Sequence, residues 1–226
     1  QAPAHAIMAT NTSSIPLEEI SAGLSDPTRL IGIHFFNPVA LMPLVEIVYT
    51  NDTNEELIAQ AAAFIKSIAR SPLPVLSSPG FLVNRVLMPY LDEAMKMYEE
   101  GIDKEIIDQA ALAYGMPMGP IELADKIGLD VCLHVATNLN EHYGGTVSPK
   151  LTDMVAAGQL GVKSGHGFYQ YNKARKAIKT TPSSPVDPDV QQRLISRMLN
   201  EAVACLQEGV VSSAAFLDAG MIFGTG

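Results

Sequence analysis

The sequence has few cysteines, few basic residues and no long hydrophobic run, and each shortage excludes a class of protein. Its two cysteines, Cys132 and Cys205, are far apart and lack the spacing of a metal site. We therefore expect two reduced, buried thiols, with neither a disulfide framework nor a bound metal. No apolar stretch approaches the ~20 residues of a membrane span, which argues against a transmembrane helix.

Basic residues are outnumbered by acidic ones, with 15 Lys and Arg against 24 Asp and Glu and a formal net charge of -9. This charge argues against nucleic acid or an anionic membrane surface as a partner. No charged-then-apolar signal segment opens the chain, and reduced thiols favour a reducing compartment. We therefore predict a cytoplasmic location. The chain does not begin with Met, and we expect both of its ends to be cut from a longer protein.

Two apolar runs contain one ionisable residue each, and this pair is the first candidate for chemistry. The runs are Leu30–Phe36 and Pro43–Tyr49, and they flank a short Asn-Pro turn. If they pair as an antiparallel hairpin centred on Ala40, His34 lies opposite Glu46 with β-carbons about 4.5–5.5 Å apart. A carboxylate beside an imidazole fixes the tautomer and orientation of the ring, which prepares a general base. The alternative is a buried pair without a chemical role.

The remaining pattern predicts further strands at residues 6–10 and 73–76, and mainly helices after Gly80. The predicted helices cover residues 17–24, 54–70, 81–100, 103–114, 120–127, 129–143, 150–157, 190–207 and 214–223.

Three local signals add detail to this pattern. Thr53 and Glu56 have the spacing of a capping box at the start of the helix at 54–70. The segment 173–188 is polar and contains prolines, which predicts a linker. The helix after it has the pattern of residues 81–100, so the end of the chain is interpreted as a degenerate repeat.

Three polar residues could join the pair of His34 and Glu46. Asn11 and Ser13 follow the first predicted strand, at the end where open α/β sheets bind ligands. Asn84 opens a long helix, and its amide can both donate and accept hydrogen bonds. Taken singly, Ser13 is more simply explained as a helix cap, and Asn84 as a polar residue in a first helical turn.

Six stretches occur in an order and spacing that resemble the L-3-hydroxyacyl-CoA dehydrogenase family. They read NTSSIP, IGIHFFNPV, LVEIV, SPGFLVNRVLMPYLDEA, YGMPMGPIELADKIGLD and GVKSGHGFYQY. The resemblance implies an α/β remnant in residues 1–79, made of the last strands of a Rossmann-type NAD-binding domain. A mostly α-helical C-terminal domain would follow in residues 80–172, then the linker at 173–188. Residues 189–226 resemble the truncated start of the second helical module of multifunctional fatty-acid-oxidation enzymes.

The resemblance also implies a role for each member of the candidate pair. His34 matches the family's catalytic histidine, the general base that takes the C3 hydroxyl proton of the substrate as hydride leaves for NAD. Glu46 matches the acidic partner of that histidine.

The remaining candidates match residues that bind substrate or cofactor in the family. Ser13 matches a serine that hydrogen-bonds the substrate oxygen and the histidine, and Asn84 matches the asparagine that binds the acyl carbonyl. Asn11 matches a residue near the nicotinamide, so it is a cofactor-binding candidate. Asn37 lies in the same HFFNP run as the histidine and is a further candidate for substrate binding.

The implied activity is the oxidation of (S)-3-hydroxyacyl-CoA to 3-oxoacyl-CoA with NAD in fatty-acid β-oxidation, by a homodimer formed through the helical domain. The fingerprint G-x-G-x-x-G is absent, and the glycines of GVKSGHGFYQY form a turn without a preceding buried strand. We therefore expect the diphosphate-binding half of the NAD site to be missing and the chain to be inactive alone. Two alternatives stay open: a helical dimerisation or interaction module without catalysis, and another two-domain NAD-dependent hydroxy-acid dehydrogenase.

Overall fold

The computed structural model describes residue 3 and residues 6–13, 15–182 and 185–225. Ser14 of the polar cluster and two residues of the predicted linker, 183 and 184, lie outside the described residues. The chain forms two compact units, the first with residues 1–85 and 202–226 and the second with residues 86–201.

The described residues contain nine α-helices. They are α1 (Leu17–Ser21), α2 (Glu55–Ser67), α3 (Val83–Glu99), α4 (Lys104–Tyr114), α5 (Pro120–Ile127), α6 (Leu129–Tyr143), α7 (Pro149–Ala156), α8 (Pro188–Gln207) and α9 (Ala214–Thr225). None of the helices in the described ranges has the length and apolar character needed to cross a bilayer.

A four-stranded sheet with strand order β1-β2-β3-β4 organises the first unit. Its strands are β1 (Met8–Thr10), β2 (Leu30–Phe35), β3 (Leu44–Tyr49) and β4 (Ser71–Leu76). β1 pairs with β2 and β3 pairs with β4 in parallel, whereas β2 and β3 form an antiparallel hairpin. The hairpin places His34 opposite Glu46, so the predicted register is confirmed.

Helix α2 covers one face of this sheet. The apolar contact is formed by three residues of the helix and three of the strands: Leu57, Ala61, Ile65, Ile31, Val45 and Ile47. Because side chains alternate along a strand, His34 and Glu46 point to the opposite face. The predicted capping box of α2 is wrong, since the Asn54 side chain accepts the hydrogen bond from the Glu56 N–H at 2.8 Å. The Thr53 hydroxyl oxygen instead accepts from the Thr50 N–H at 2.9 Å, within the preceding turn.

Helix α9 approaches the other face of the sheet through two glycines. A Cβ atom added to Gly220 would lie 2.6 Å from Leu82 and 2.8 Å from Leu73. A Cβ atom added to Gly224 would lie 2.8 Å from Val83. A side chain at either position would force these leucine and valine side chains to shift, so glycine allows the close approach of α9.

The second unit packs α4 to α7 around one apolar core, to which α3 and α8 also contribute. Two strands, β5 (Gln170–Tyr171) and β6 (Ala177–Ile178), form a small antiparallel sheet. These two strands interrupt the mainly helical part of the chain after Gly80. The first half of the predicted linker is packed, because β6 belongs to it and the Thr180 hydroxyl donates to Glu105 at 2.8 Å. The predicted domain boundaries remain predictions.

Ion pairs support the predicted repeat. In the first unit, Arg85 pairs with Glu208 at 2.7 Å. In the second unit, Arg193 pairs with Glu100 at 2.5 Å. The two arginines are 108 positions apart (85 and 193), and so are the two glutamates (100 and 208). Each arginine lies in one of the helices α3 and α8 and pairs with the glutamate directly after the other helix, so the two segments carry the same charged pattern.

Candidate active site

The predicted pair of His34 and Glu46 is assembled inside the first unit. Nδ1 of His34 lies 2.7 Å from Oε2 of Glu46. His34 is 4% exposed and Glu46 is fully buried. A carboxylate only accepts hydrogen bonds, so Nδ1 carries the hydrogen and Nε2 is the ring nitrogen left for a substrate. The prediction that the two side chains meet within bonding distance is confirmed.

The second oxygen of Glu46 is engaged as well. Its Oε1 accepts hydrogen bonds from the N–H groups of Leu82 at 3.1 Å and Val83 at 2.9 Å, at the start of α3. Helix starts present free N–H groups, and these favour a negatively charged partner. The Glu46 carboxylate is therefore held through both of its oxygens. Because its position is fixed, the imidazole of His34 can bond to it in only one orientation.

Two aromatic rings enclose the imidazole edge-on. The Phe36 ring lies 4.7 Å from the His34 ring at 62°, and the Phe81 ring lies 5.4 Å away at 64°. Edge-to-face contacts of this kind are the favoured geometry of aromatic pairs. They restrict rotation of the imidazole about its Cβ–Cγ bond, so Glu46 is not alone in orienting it.

Asn84 and Ser13 are brought together by a hydrogen bond from the Asn84 amide to the Ser13 backbone oxygen, at 3.1 Å. Asn84 is half-buried in the first turn of α3, and Ser13 is exposed beyond the end of β1. Among the hydrogen bonds of the described residues, none joins the Ser13 side chain to His34. The role of Ser13 toward a substrate oxygen stays a prediction, as does that of Asn84.

Asn11 and Asn37 are exposed near the same end of the sheet. Asn11 follows Thr10, which pairs with Gly32 two residues before His34. Asn37 lies in the turn between β2 and β3, and its peptide bond to Pro38 is cis. Neither amide bonds to the His34 pair in the described part of the chain, so their roles also stay predictions.

Polar groups at the carboxyl end of β1 fit the head of a dinucleotide. In open α/β sheets, ligands bind beyond the carboxyl ends of parallel strands, and β1 and β2 are parallel there. The exposed side chains of Asn11 and Ser13 could hold a nicotinamide carboxamide through hydrogen bonds. The described residues contain no group of His, Cys, Asp and Glu arranged to hold a metal ion.

Sequence reasoning missed the surroundings of the pair. The hydrogen bonds from the N–H groups of Leu82 and Val83 to Glu46 join residues more than 30 positions apart, so no local sequence pattern predicts them. Arg85, directly after Asn84, is buried and forms two hydrogen bonds to Glu208 at 2.7 and 2.9 Å. This guanidinium holds the pKa of the Glu208 carboxyl below its usual range. The sequence signal that could have pointed to it is an arginine in an otherwise apolar helix start.

Comparisons with known proteins match both parts of the chain to one family. The model of the 3-hydroxyacyl-CoA dehydrogenase NAD binding domain matches residues 1–78, and the model of the C-terminal domain matches residues 80–171. The fatty acid oxidation complex subunit alpha of Shewanella amazonensis is 38% identical over an alignment of 236 positions. The alignment covers 98% of this chain and 33% of that protein.

Two solved structures are similar over much of the chain. The 3-hydroxybutyryl-CoA dehydrogenase from Escherichia coli has a TM-score of 0.83 at 28% identity, covering 99% of this chain and 66% of that one. The (S)-3-hydroxybutyryl-CoA dehydrogenase PaaH1 from Ralstonia eutropha has a TM-score of 0.71 at 40% identity, covering 76% of this chain and 62% of that one.

The chain spans about a third of the length of the curated relatives that it matches. The predicted α/β part followed by a mostly helical part is confirmed. The expectation that the NAD-binding half is absent is contradicted, because the NAD-binding model matches residues 1–78, and describing these residues as a remnant is not supported. That expectation relied on one short glycine motif, whereas the match extends over all the strands of the sheet. Two models of one family together match most of the chain, which therefore belongs to the 3-hydroxyacyl-CoA dehydrogenase family.

Proposed function

We propose that this chain carries the proton-transfer site of an NAD-dependent (S)-3-hydroxyacyl-CoA dehydrogenase of fatty-acid β-oxidation. The observation that carries the proposal is the buried pair of His34 and Glu46, with Nδ1 and Oε2 2.7 Å apart. The names of the relatives support the substrate class, since they are a fatty acid oxidation complex subunit and two 3-hydroxybutyryl-CoA dehydrogenases.

His34 acts as the general base in this proposal. Oxidation at C3 of the substrate removes a proton from the hydroxyl oxygen and a hydride from the carbon. Nε2 of His34 accepts the proton, and NAD, when bound, supplies the hydride acceptor. Glu46 holds the Nδ1–H and stabilises the imidazolium that forms, as the carboxylate of a hydrolase triad does. In the reverse direction the same imidazolium returns the proton to the 3-oxo group.

The neighbouring polar residues bind and orient the reactants. We assign Ser13 to the substrate oxygen and Asn84 to the acyl carbonyl, since the hydrogen bond between them brings both to one place. Asn11 lies at the nicotinamide end of the cofactor, and Asn37 lies beside the substrate on the turn after β2. Residues 1–79 then form the NAD-binding part, residues 80–172 the C-terminal domain and residues 189–226 a second helical module after the segment 173–188.

We also propose a cytoplasmic homodimer that associates through the helical unit. Two buried cysteine thiols suit a reducing compartment. Leu112 and Tyr114 on α4 and Val131 on α6 are large apolar side chains that remain exposed in that unit, and such side chains are typical of protein interfaces. Light scattering on the purified protein tests this assignment, and a monomer at every concentration would contradict it.

The decisive assay follows NADH formation from (S)-3-hydroxybutyryl-CoA and NAD. It uses the natural protein that carries these 226 residues, because the curated relatives are about three times as long. We expect turnover of the S enantiomer and none of the R enantiomer, since the base and the hydride acceptor must lie on fixed sides of C3. Absence of NADH with either enantiomer would overturn the proposal and favour an interaction module without catalysis.

A further inference from the structure

A tight turn between β4 and α3 has an unusual backbone. Ser78, Pro79, Gly80 and Phe81 form the turn, which the Phe81 N–H closes by donating to the Ser78 backbone oxygen at 2.9 Å. Proline in the second position and a glycine with a φ of 77° in the third are the marks of a type II turn. The residue after this glycine, Phe81, then also adopts a positive φ, of 55°.

Phe81 is exceptional among the residues with such a backbone. Of the non-glycine residues in the described ranges, only Ala69, Arg175 and Phe81 have a positive φ. Ala69 and Arg175 are exposed, whereas Phe81 is fully buried. A bulky residue is unfavourable in this region and persists there only where its surroundings hold it. Here the Ser78 hydroxyl adds a second constraint, because it donates to the Phe81 backbone oxygen at 3.2 Å.

This backbone conformation serves the His34 pair in two ways. It places the Phe81 ring edge-on to the imidazole, at 5.4 Å between centroids. It also directs the next two N–H groups, of Leu82 and Val83, to the same oxygen of Glu46. Phe81 thus contacts the His34 ring directly. It also positions Glu46, the partner of His34, through the two peptide N–H groups that follow it in the chain.

We propose that Phe81 is a positioning residue for the general base, which it holds in its hydrogen bond to Glu46. The inference rests on the proposed function for its catalytic consequence. Its structural consequence, the fixed orientation of the His34 ring, can be measured without turnover. The Ser78 hydroxyl contributes to the same positioning, because its hydrogen bond holds the Phe81 backbone in the left-handed region.

The test combines kinetics with NMR of the natural protein labelled with ¹⁵N at histidine. Phe81→Leu removes the ring, and Ser78→Ala removes one hydrogen bond and leaves the ring in place. Phe64→Leu is the matched control, since Phe64 is 52% exposed on α2. We expect Phe81→Leu to lower kcat about ten-fold with KM within about two-fold, because a small misalignment of a base slows proton transfer and leaves binding intact.

The NMR signal of the His34 Nδ1 proton reports on the hydrogen bond to Glu46 without requiring turnover. In Phe81→Leu, exchange of this proton with water should be at least about five-fold faster, and in Ser78→Ala about two-fold faster, because the bond to Glu46 opens more often. A proton signal or a kcat equal to that of Phe64→Leu would overturn the proposal. If Phe81→Leu fails to fold, Ser78→Ala decides by the same two readouts. Absence of turnover in the unmutated protein would refute the proposed function, and the proton signal alone would then decide the positioning role.

Discussion

Two buried carboxylates, one in each compact unit, have the same kind of backbone partners and different side-chain partners. Glu46 and Asp108 each accept hydrogen bonds from two consecutive N–H groups at the start of a helix, α3 for Glu46 and α5 for Asp108. The remaining partner of Glu46 is the imidazole of His34. Asp108 instead accepts a hydrogen bond from the hydroxyl of Tyr169, at 2.9 Å, and its carboxylate also lies 4.0 Å from the Lys179 ammonium.

The difference between His34 and Tyr169 as partners distinguishes a carboxylate with a proposed catalytic role from one with a structural role. An imidazole can accept a proton on its second ring nitrogen while the first stays hydrogen-bonded, so a carboxylate that orients it can support catalysis. The Tyr169 hydroxyl keeps its proton, because burial and the adjacent Asp108 raise its pKa far above the usual range. The Asp108 carboxyl therefore holds α5 and Tyr169 in place without taking part in proton transfer. One arrangement of backbone donors thus serves two purposes, and the third partner decides which.

The largest effect should follow from neutralising Glu46. In Glu46→Gln, we expect kcat to fall by about 10²–10³-fold, since removal of the orienting carboxylate impairs general-base catalysis. Asp108→Asn should leave kcat of the folded protein within about three-fold, because Asp108 has no role in proton transfer. Initial-rate assays on both variants check the contrast. Equal losses of activity in the two variants would remove the distinction between the two carboxylates.

The next effect is the stability provided by Asp108. Asp108→Ala leaves the N–H groups of Ile121 and Glu122 and the Tyr169 hydroxyl without their acceptor, so we expect a loss of about 4 kcal/mol in the free energy of unfolding. Asp153→Ala is the control, because Asp153 is exposed on α7, and it should change stability by about 0.5 kcal/mol or less. Urea denaturation measures both. A loss no larger than that of the control would show that the α5 cap is dispensable.

A smaller effect concerns the pH dependence of stability. Burial raises the pKa of Asp108 from 3.8 to about 6, although hydrogen bonds from Ile121 and Tyr169 oppose the change. The folded state then binds more protons than the unfolded state between these values, so stability falls as pH rises from about 4 to about 6. The protonated Asp108 carboxyl contributes ~3 kcal/mol to the free energy of unfolding. This contribution is complete at pH values below the pKa of Asp108 in the unfolded chain. It is lost as pH rises through the pKa of Asp108 in the folded protein.

Comparison with Asp108→Asn isolates this contribution, because Asp125, whose pKa burial also raises, remains in both proteins. The advantage in unfolding free energy of the unmutated protein over Asp108→Asn should decrease as pH rises from about 4 to about 6. Urea denaturation at several pH values in this range gives the difference. An advantage that stays constant or grows with pH would contradict the raised pKa of Asp108.

Local pattern was sufficient to predict the parts of the fold that depend on neighbouring residues. The hairpin of β2 and β3 has alternating side chains and a short turn, so its register and the meeting of His34 with Glu46 followed from the sequence. Most helices followed from their apolar spacing in the same way. The N-cap of α2 could not be predicted in this way, because Thr53 and Asn54 are both good N-cap residues. Only the backbone of the preceding turn selects Asn54.

Long-range contacts account for what the sequence could not predict. The parallel pairing of β1 with β2 and of β3 with β4 depends on segments separated by other elements. The bonds from α3 to Glu46 and the positive φ of Phe81 arise from the same kind of packing, and no periodicity encodes them. The surroundings of the candidate base were therefore visible only in three dimensions.

The most direct test of the account is a double-mutant cycle between His34 and Glu46. If Glu46 acts only through the imidazole, Glu46→Gln should have no further effect once His34→Gln is present. Steady-state kcat for (S)-3-hydroxybutyryl-CoA is measured for the unmutated protein, the two single variants and the double variant. We expect the double variant to be as slow as His34→Gln alone. A double variant whose loss equals the product of the two single losses would show that the residues act independently, and would contradict the claim that they form one general base.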